Sequence, residues 1–138
     1  MDQLWYLYTR TIFLMEQRLN AQASFAIITA YNPLGSICTK NTNQRLDNRL
    51  QADIELLKAP YRKLWGCSPE FDHFEHSWAV MTDKGTAINL AKKYQQNAIY
   101  WVERGYLFLV PCILTQFKVL NLGEFEKRCQ YQLAKCGQ

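Results

Sequence analysis

The sequence predicts an α+β fold: a single domain in which a mainly antiparallel sheet, built from ββα units, carries helices packed on one face. Three observations predict it. Short apolar runs of strand length meet through turn residues, most clearly at Arg104-Gly105. Two stretches repeat apolar positions at helical spacing, Leu46, Leu50, Ile54 and Leu57 in one and Ala87, Ile88, Ala91 and Tyr94 in the other. The order of elements then reads roughly ββα, ββα, ββα, which suits a sheet with short connections and not a doubly wound one.

In chain order, residues 2–8 form a short helix or an extended lead-in that buries Leu4, Trp5, Leu7 and Tyr8. Residues 11–15 are β-branched and aromatic and read as a strand, the polar stretch 17–24 as a loop, and residues 25–31 as a second strand pairing with the first in a hairpin. Pro33 ends that strand, because it has no N–H for the ladder and restricts the residue before it. A loop over 33–42 leads to Thr42 or Asn43 as the cap of the first long helix, which Pro60 closes.

Residues 61–65 are a strand or an extended connection, 66–69 a turn, and 77–81 a strand. Thr82 and Asp83 offer a cap for the second long helix, and Gln95, Gln96 and Asn97 end it. Residues 98–103 and 106–110 are the arms of the hairpin at Arg104-Gly105, and Pro111 stops it. An edge strand is expected over 116–120. Asn121 and Glu124 have the spacing of a capping box, so a last helix is expected over about 121–136 with Phe125, Cys129 and Leu133 facing inward.

A chain of 138 residues suits one core that buries roughly two-thirds of the unfolded surface. Its 49% apolar and 14% aromatic residues belong to a globular composition. The net charge of +4 comes from basic residues scattered along the chain, which permits a nucleic-acid partner without arguing for one. Five cysteines, odd in number and without a CxxC pair, together with an N-terminus lacking a signal-peptide pattern, point to reduced thiols and a cytoplasmic protein. The apolar runs are too short for a membrane span, so no membrane partner is expected.

Several short motifs occur together: Ile28-Thr29-Ala30-Tyr31-Asn32-Pro33, Asn48 with Leu50 and Ile54, Gly66 with Pro69, Glu75 before Ser77-Trp78-Ala79-Val80, and Gln96-Asn97-Ala98. In this combination the chain resembles a bacterial family known only as a domain of unknown function, over about residues 6–110. The resemblance implies a shared fold and carries no activity.

Polar residues gather at element ends: Thr29, Tyr31 and Asn32 leaving one strand, Glu75 and His76 entering another, Gln96 and Asn97 leaving a helix. If these ends converge, Glu75 or His76 is a candidate general base, and Thr29, Tyr31, Asn32, Asn48, Gln96 and Asn97 are candidate ligand-binding groups. The alternative is structural, with Asn32 and Asn97 making turns and caps while Glu75 answers backbone N–H groups, Arg45 or Arg49.

His73 and His76, with Cys67 or Asp72, supply zinc-type ligands, but in an extended segment the two rings point to opposite faces and no second cluster completes a site. No metal or cofactor is therefore expected. A nucleophile elbow, a P-loop and a GxGxxG turn are all missing. Basic residues alternate with aromatics at 61–65 and 92–96, the pattern of a base-stacking surface. The expected function is the binding of a small polar ligand or a macromolecular partner, an unknown small molecule or protein, at the strand-end cluster. The alternatives are a hydrolase or group-transfer enzyme, and a nucleic-acid or protein-interaction module with self-association left open.

Overall fold

A computed structural model of the chain describes residues 2–20 and 22–131. Three helices, α1 (Asp2–Thr9), α2 (Lys40–Leu56) and α3 (Lys84–Lys93), accompany eight strands, β1 (Ile12–Met15), β2 (Phe25–Thr29), β3 (Tyr61–Cys67), β4 (Phe74–Val80), β5 (Ala98–Glu103), β6 (Tyr106–Pro111), β7 (Leu120–Glu124) and β8 (Cys129–Tyr131). All eight join one sheet in the order β7-β6-β5-β2-β4-β3-β1-β8. Every pairing is antiparallel except that of β1 with β8. This is the α+β single domain that the sequence predicts.

The two long helices lie where their stripes require. Leu50 and Ile54 of α2 and Ala87 and Ala91 of α3 are fully buried against Ile28, Trp78, Val80 and Trp101 on the outer face of the sheet. Asp83 caps α3 as expected, its carboxylate accepting from Thr86 N–H at 2.7 Å. The cap of α2 falls earlier than predicted: Thr39 accepts from Thr42 N–H, and Asn43 sits inside the helix with its side chain turned to Asn32. The β5–β6 hairpin turns at Arg104 and Gly105, both at positive φ, which matches the twist of the arms.

The inner face has a second core of Phe13, Phe25, Ile27, Leu64, Val102 and Leu107. Here the expected hairpin of residues 11–15 with 25–31 is replaced. Strand β1 pairs with β3 and β8, because both edges of β2 are taken by β4 and β5. Phe13 and Phe25 instead face each other across the curl of the sheet, each in ring contact with the fully buried Phe125 at 5.7 and 5.6 Å.

The expected edge strand and last helix are also corrected. Residues 120–124 form β7, residues 125–128 a 3-10 turn and residues 129–131 β8; the rest of the expected helix lies outside the described residues. Asn121 Oδ1 accepts from Gly123 N–H at 2.8 Å, so its side chain closes a turn in place of a capping box, and Gly123 carries the positive φ that bars helix at that point. The 3-10 turn links the two outermost strands of the sheet, which therefore curls until its edges lie close together. The Arg128 guanidinium donates to Thr9 O at 2.6 Å, Thr11 O at 3.2 Å and Leu122 O at 3.4 Å, tying β7 to the segment entering β1.

Helix α1, unlike α2 and α3, lies over the open end of the inner face, so the helices are not confined to the one face expected. Trp5 stacks on Phe117 with ring centroids 4.5 Å apart and packs with Leu109 and Leu114. Gly35 allows the close approach of this helix: its φ is +80°, and a Cβ there would stand 2.8 Å from a Leu4 methyl.

Candidate functional site

Between α1 and the inner face of the sheet the curl leaves a cavity of about 420 Å³. Its floor and one wall are apolar, formed by Leu4, Leu7, Phe13, Ile27 and Leu109. The opposite wall carries Thr29, Asn32, His73, Glu75 and Gln96. Strand parity explains the selection: in β4 and the residue before it, His73, Glu75 and Ser77 alternate onto the inner face, while His76 and Trp78 turn outward. Gly66 stands opposite Glu75 in the ladder, so no side chain from β3 fills the space beside the carboxylate.

Glu75 is the hub of the polar wall. Its Oε2 accepts from Asn32 Nδ2 at 3.0 Å and lies 2.9 Å from His73 Nε2. This contact holds the His73 pKa above its usual value against the opposing effect of burial. Asn32 is itself clamped: Oδ1 accepts from Cys38 N–H and Asn43 Nδ2, and its backbone N–H donates to Asn43 Oδ1. It adopts φ 50° and ψ 62°, the left-handed region that Asn tolerates better than most residues.

The turn after α3 supports the same loop. Gln96 Nε2 donates to Tyr31 O at 3.1 Å and Leu34 N–H donates to Gln95 O at 2.7 Å. Asn97 lies behind the wall, donating to the Tyr8 hydroxyl at 3.1 Å while its carbonyl accepts from Cys112 N–H. Burial raises the pKa of Tyr8, and also that of Tyr31, so both hydroxyls keep their protons. Thr29 Oγ1 donates to His76 O and accepts from Tyr31 N–H. Tyr31 is at the rim, its ring edge-on to Trp65 at 6.5 Å.

The structure thus brings Thr29, Tyr31, Asn32, Glu75 and Gln96 to one cavity and puts Asn97 one side chain behind it. Asn48 is elsewhere, exposed on α2 and bonded to Gln44. His76 is on the outer face, with Nδ1 3.0 Å from Asp47 Oδ2 and its ring edge-on to Trp65 and Trp78. Trp78 Nε1 donates to the other oxygen of the same buried carboxylate at 2.9 Å. His73 takes the place beside Glu75 that the sequence reading assigns to His76; the period-two alternation through 73, 75 and 77 is the signal for it. The two histidines do point to opposite faces.

The curled sheet thus encloses a cavity with an apolar floor and one wall of convergent polar groups. The chain belongs to DUF3293, a family of proteins of unknown function, which it matches over residues 28–99. That span supplies the polar wall, whereas Leu4, Leu7 and Leu109 of the apolar side fall outside it. No curated protein and no solved structure matches the chain. Among the described residues no helix is long and apolar enough to cross a membrane.

Proposed function

We propose that this protein binds a small organic molecule in the cavity under α1, with the molecule's apolar body on the floor and its polar head at Glu75. The observation that carries this reading is the convergence of Asn32, Glu75 and Gln96, from three separate elements, on a space of about 420 Å³, within the size range of small-ligand sites. The odd cysteine count without a CxxC pair supports a cytoplasmic location on this reading.

The test is a thermal-shift screen of metabolite classes on the natural protein and on Gly66→Leu. A Cβ at Gly66 would make only ordinary contacts, 3.6 Å from Thr11 Cγ2 and 3.7 Å from Ser77 Oγ, so a side chain can start there without a clash at Cβ, and Gly66 itself lines the cavity beside Glu75. Compounds that raise the melting temperature of the natural protein should lose that effect in the variant. A shift of equal size in both would remove the cavity from consideration.

A hydrolytic or group-transfer reading is favoured by one contact, that of His73 with Glu75 inside the cavity. A histidine held by a carboxylate is a general-base arrangement. Glu75→Gln and His73→Ala would each abolish turnover of a hit from the screen if that reading holds. Macromolecular partners rank behind both, since the basic and aromatic residues at 61–65 and 92–96 are partly committed: Tyr94 is buried and Lys93 is paired with Asp53.

A further inference from the structure

We infer that the cavity selects a cationic head group, a primary amine or its equivalent, attached to an apolar body. This rests on the small-ligand reading above and specifies its chemistry. The decisive feature is how the Glu75 carboxylate is used. Its Oε2 is occupied by Asn32 and His73, whereas Oε1 has no hydrogen-bond partner among the described residues, and Glu75 lines the cavity. A carboxylate oxygen accepts and cannot donate, so the complementary ligand group is a donor.

Charge separates an ammonium from a neutral donor. The charged groups at this wall and its rim are Glu70, Asp72, Glu75, Arg10 and His73. Arg10 is committed to Glu70 at 2.8 Å and His73 to Glu75 at 2.9 Å. Asp72 faces Ser68, whose hydroxyl donates to it at 2.6 Å and brings no charge. Carboxylates therefore outnumber cations whichever form His73 takes. An ammonium entering here completes the Glu75 hydrogen bonds and offsets the excess, whereas an anionic head meets repulsion in a mainly apolar space where screening is weak. The apolar residues Phe13, Ile27 and Leu109 then receive an alkyl or aromatic body, and Leu7 and Ile37 at the mouth extend that surface outward.

The experiment compares three probes with the same body, n-hexylamine, n-hexanol and hexanoate, by thermal shift and calorimetry on the natural protein and on Glu75→Gln. Hexylamine should bind about tenfold more tightly than hexanol, as one charge-assisted contact implies, and hexanoate should bind most weakly. Glu75→Gln should erase the preference for the amine over hexanol. Equal or tighter binding of hexanol or hexanoate to the natural protein would overturn the cationic assignment and leave the cavity reading standing. Binding of none of the three would overturn both. The comparison on the natural protein decides the head group even if Glu75→Gln does not fold.

Discussion

Asn32 and Glu75 meet through a hydrogen bond of 3.0 Å, Nδ2 to Oε2, across 43 residues of sequence. That bond joins the loop after β2 to the start of β4 and sets the carboxylate against the cavity. Asn32 therefore serves two purposes with one side chain, because the oxygen that faces away from Glu75 organises the start of α2 through Cys38 and Asn43. Asn32→Ala should cost roughly 2–4 kcal/mol of stability, since it orphans buried partners as well as removing bonds. Asn48→Ala, at an exposed position, should change stability by no more than about 0.5 kcal/mol. Urea unfolding of the two variants measures the contrast, and equal losses would argue against the clamp.

The His73–Glu75 pair makes stability depend on pH with a definite sign. Because the folded-state pKa of His73 is raised, by its bond to Glu75 first of all, folding takes up protons in that range. The contribution is fully present below the unfolded value near 6.5 and is lost as pH rises through the folded value. His73→Ala should therefore be less stable than the natural protein at pH 6 and differ less from it at pH 9. The ring is about half exposed, so the effect should be modest. Denaturation curves across that range read it directly.

Asp47 is a structural counterpart of Glu75 on the outer face. Its carboxylate is nearly buried and satisfies both His76 and Trp78. Asp47→Ala leaves both of these groups without an acceptor and should cost roughly 3–5 kcal/mol, with a change in Trp fluorescence. Ligand shifts at the inner cavity should persist in any fraction that stays folded, because Asp47 lies on the other side of the sheet.

Arg128 holds the curl shut through three backbone carbonyls. Arg128→Ala should lose about 2–4 kcal/mol, as charged donors to carbonyls are worth more than neutral ones. The loss should be local at first. Hydrogen exchange is expected to rise in residues 120–131 and in β1 before it rises in β2, β4 and β5.

The parts legible in the sequence were those whose signals are local. The stripes of α2 and α3, the cap at Asp83 and the Arg104-Gly105 hairpin all depend on neighbours within a few residues. The partners of β1 did not show, because a four-residue apolar run carries no mark of which strand it will join. Residues 121–124 misled in an instructive way: the capping-box spacing was present, but Gly123 at positive φ broke the helix that the box would start. At the site, convergence of Asn32, Glu75 and Gln96 was readable from their positions at element ends. The exchange of His73 for His76 was also within reach, since alternation along β4 puts Glu75 and His76 on opposite faces. What no local pattern could supply was the assembly of the apolar half of the cavity, which comes from α1, β1, β2 and β6.

The staple between Arg128 and Thr9 spans 119 residues. Pairings this distant in sequence are slow to form, and during synthesis they wait for the later segment to be made. The vessel is thus sealed by its last stave: β2 to β6 can assemble while the chain is still growing, but the rim beside β1 stays open until β8 emerges. A ligand present during synthesis would meet a half-built container first and a finished one only at the end.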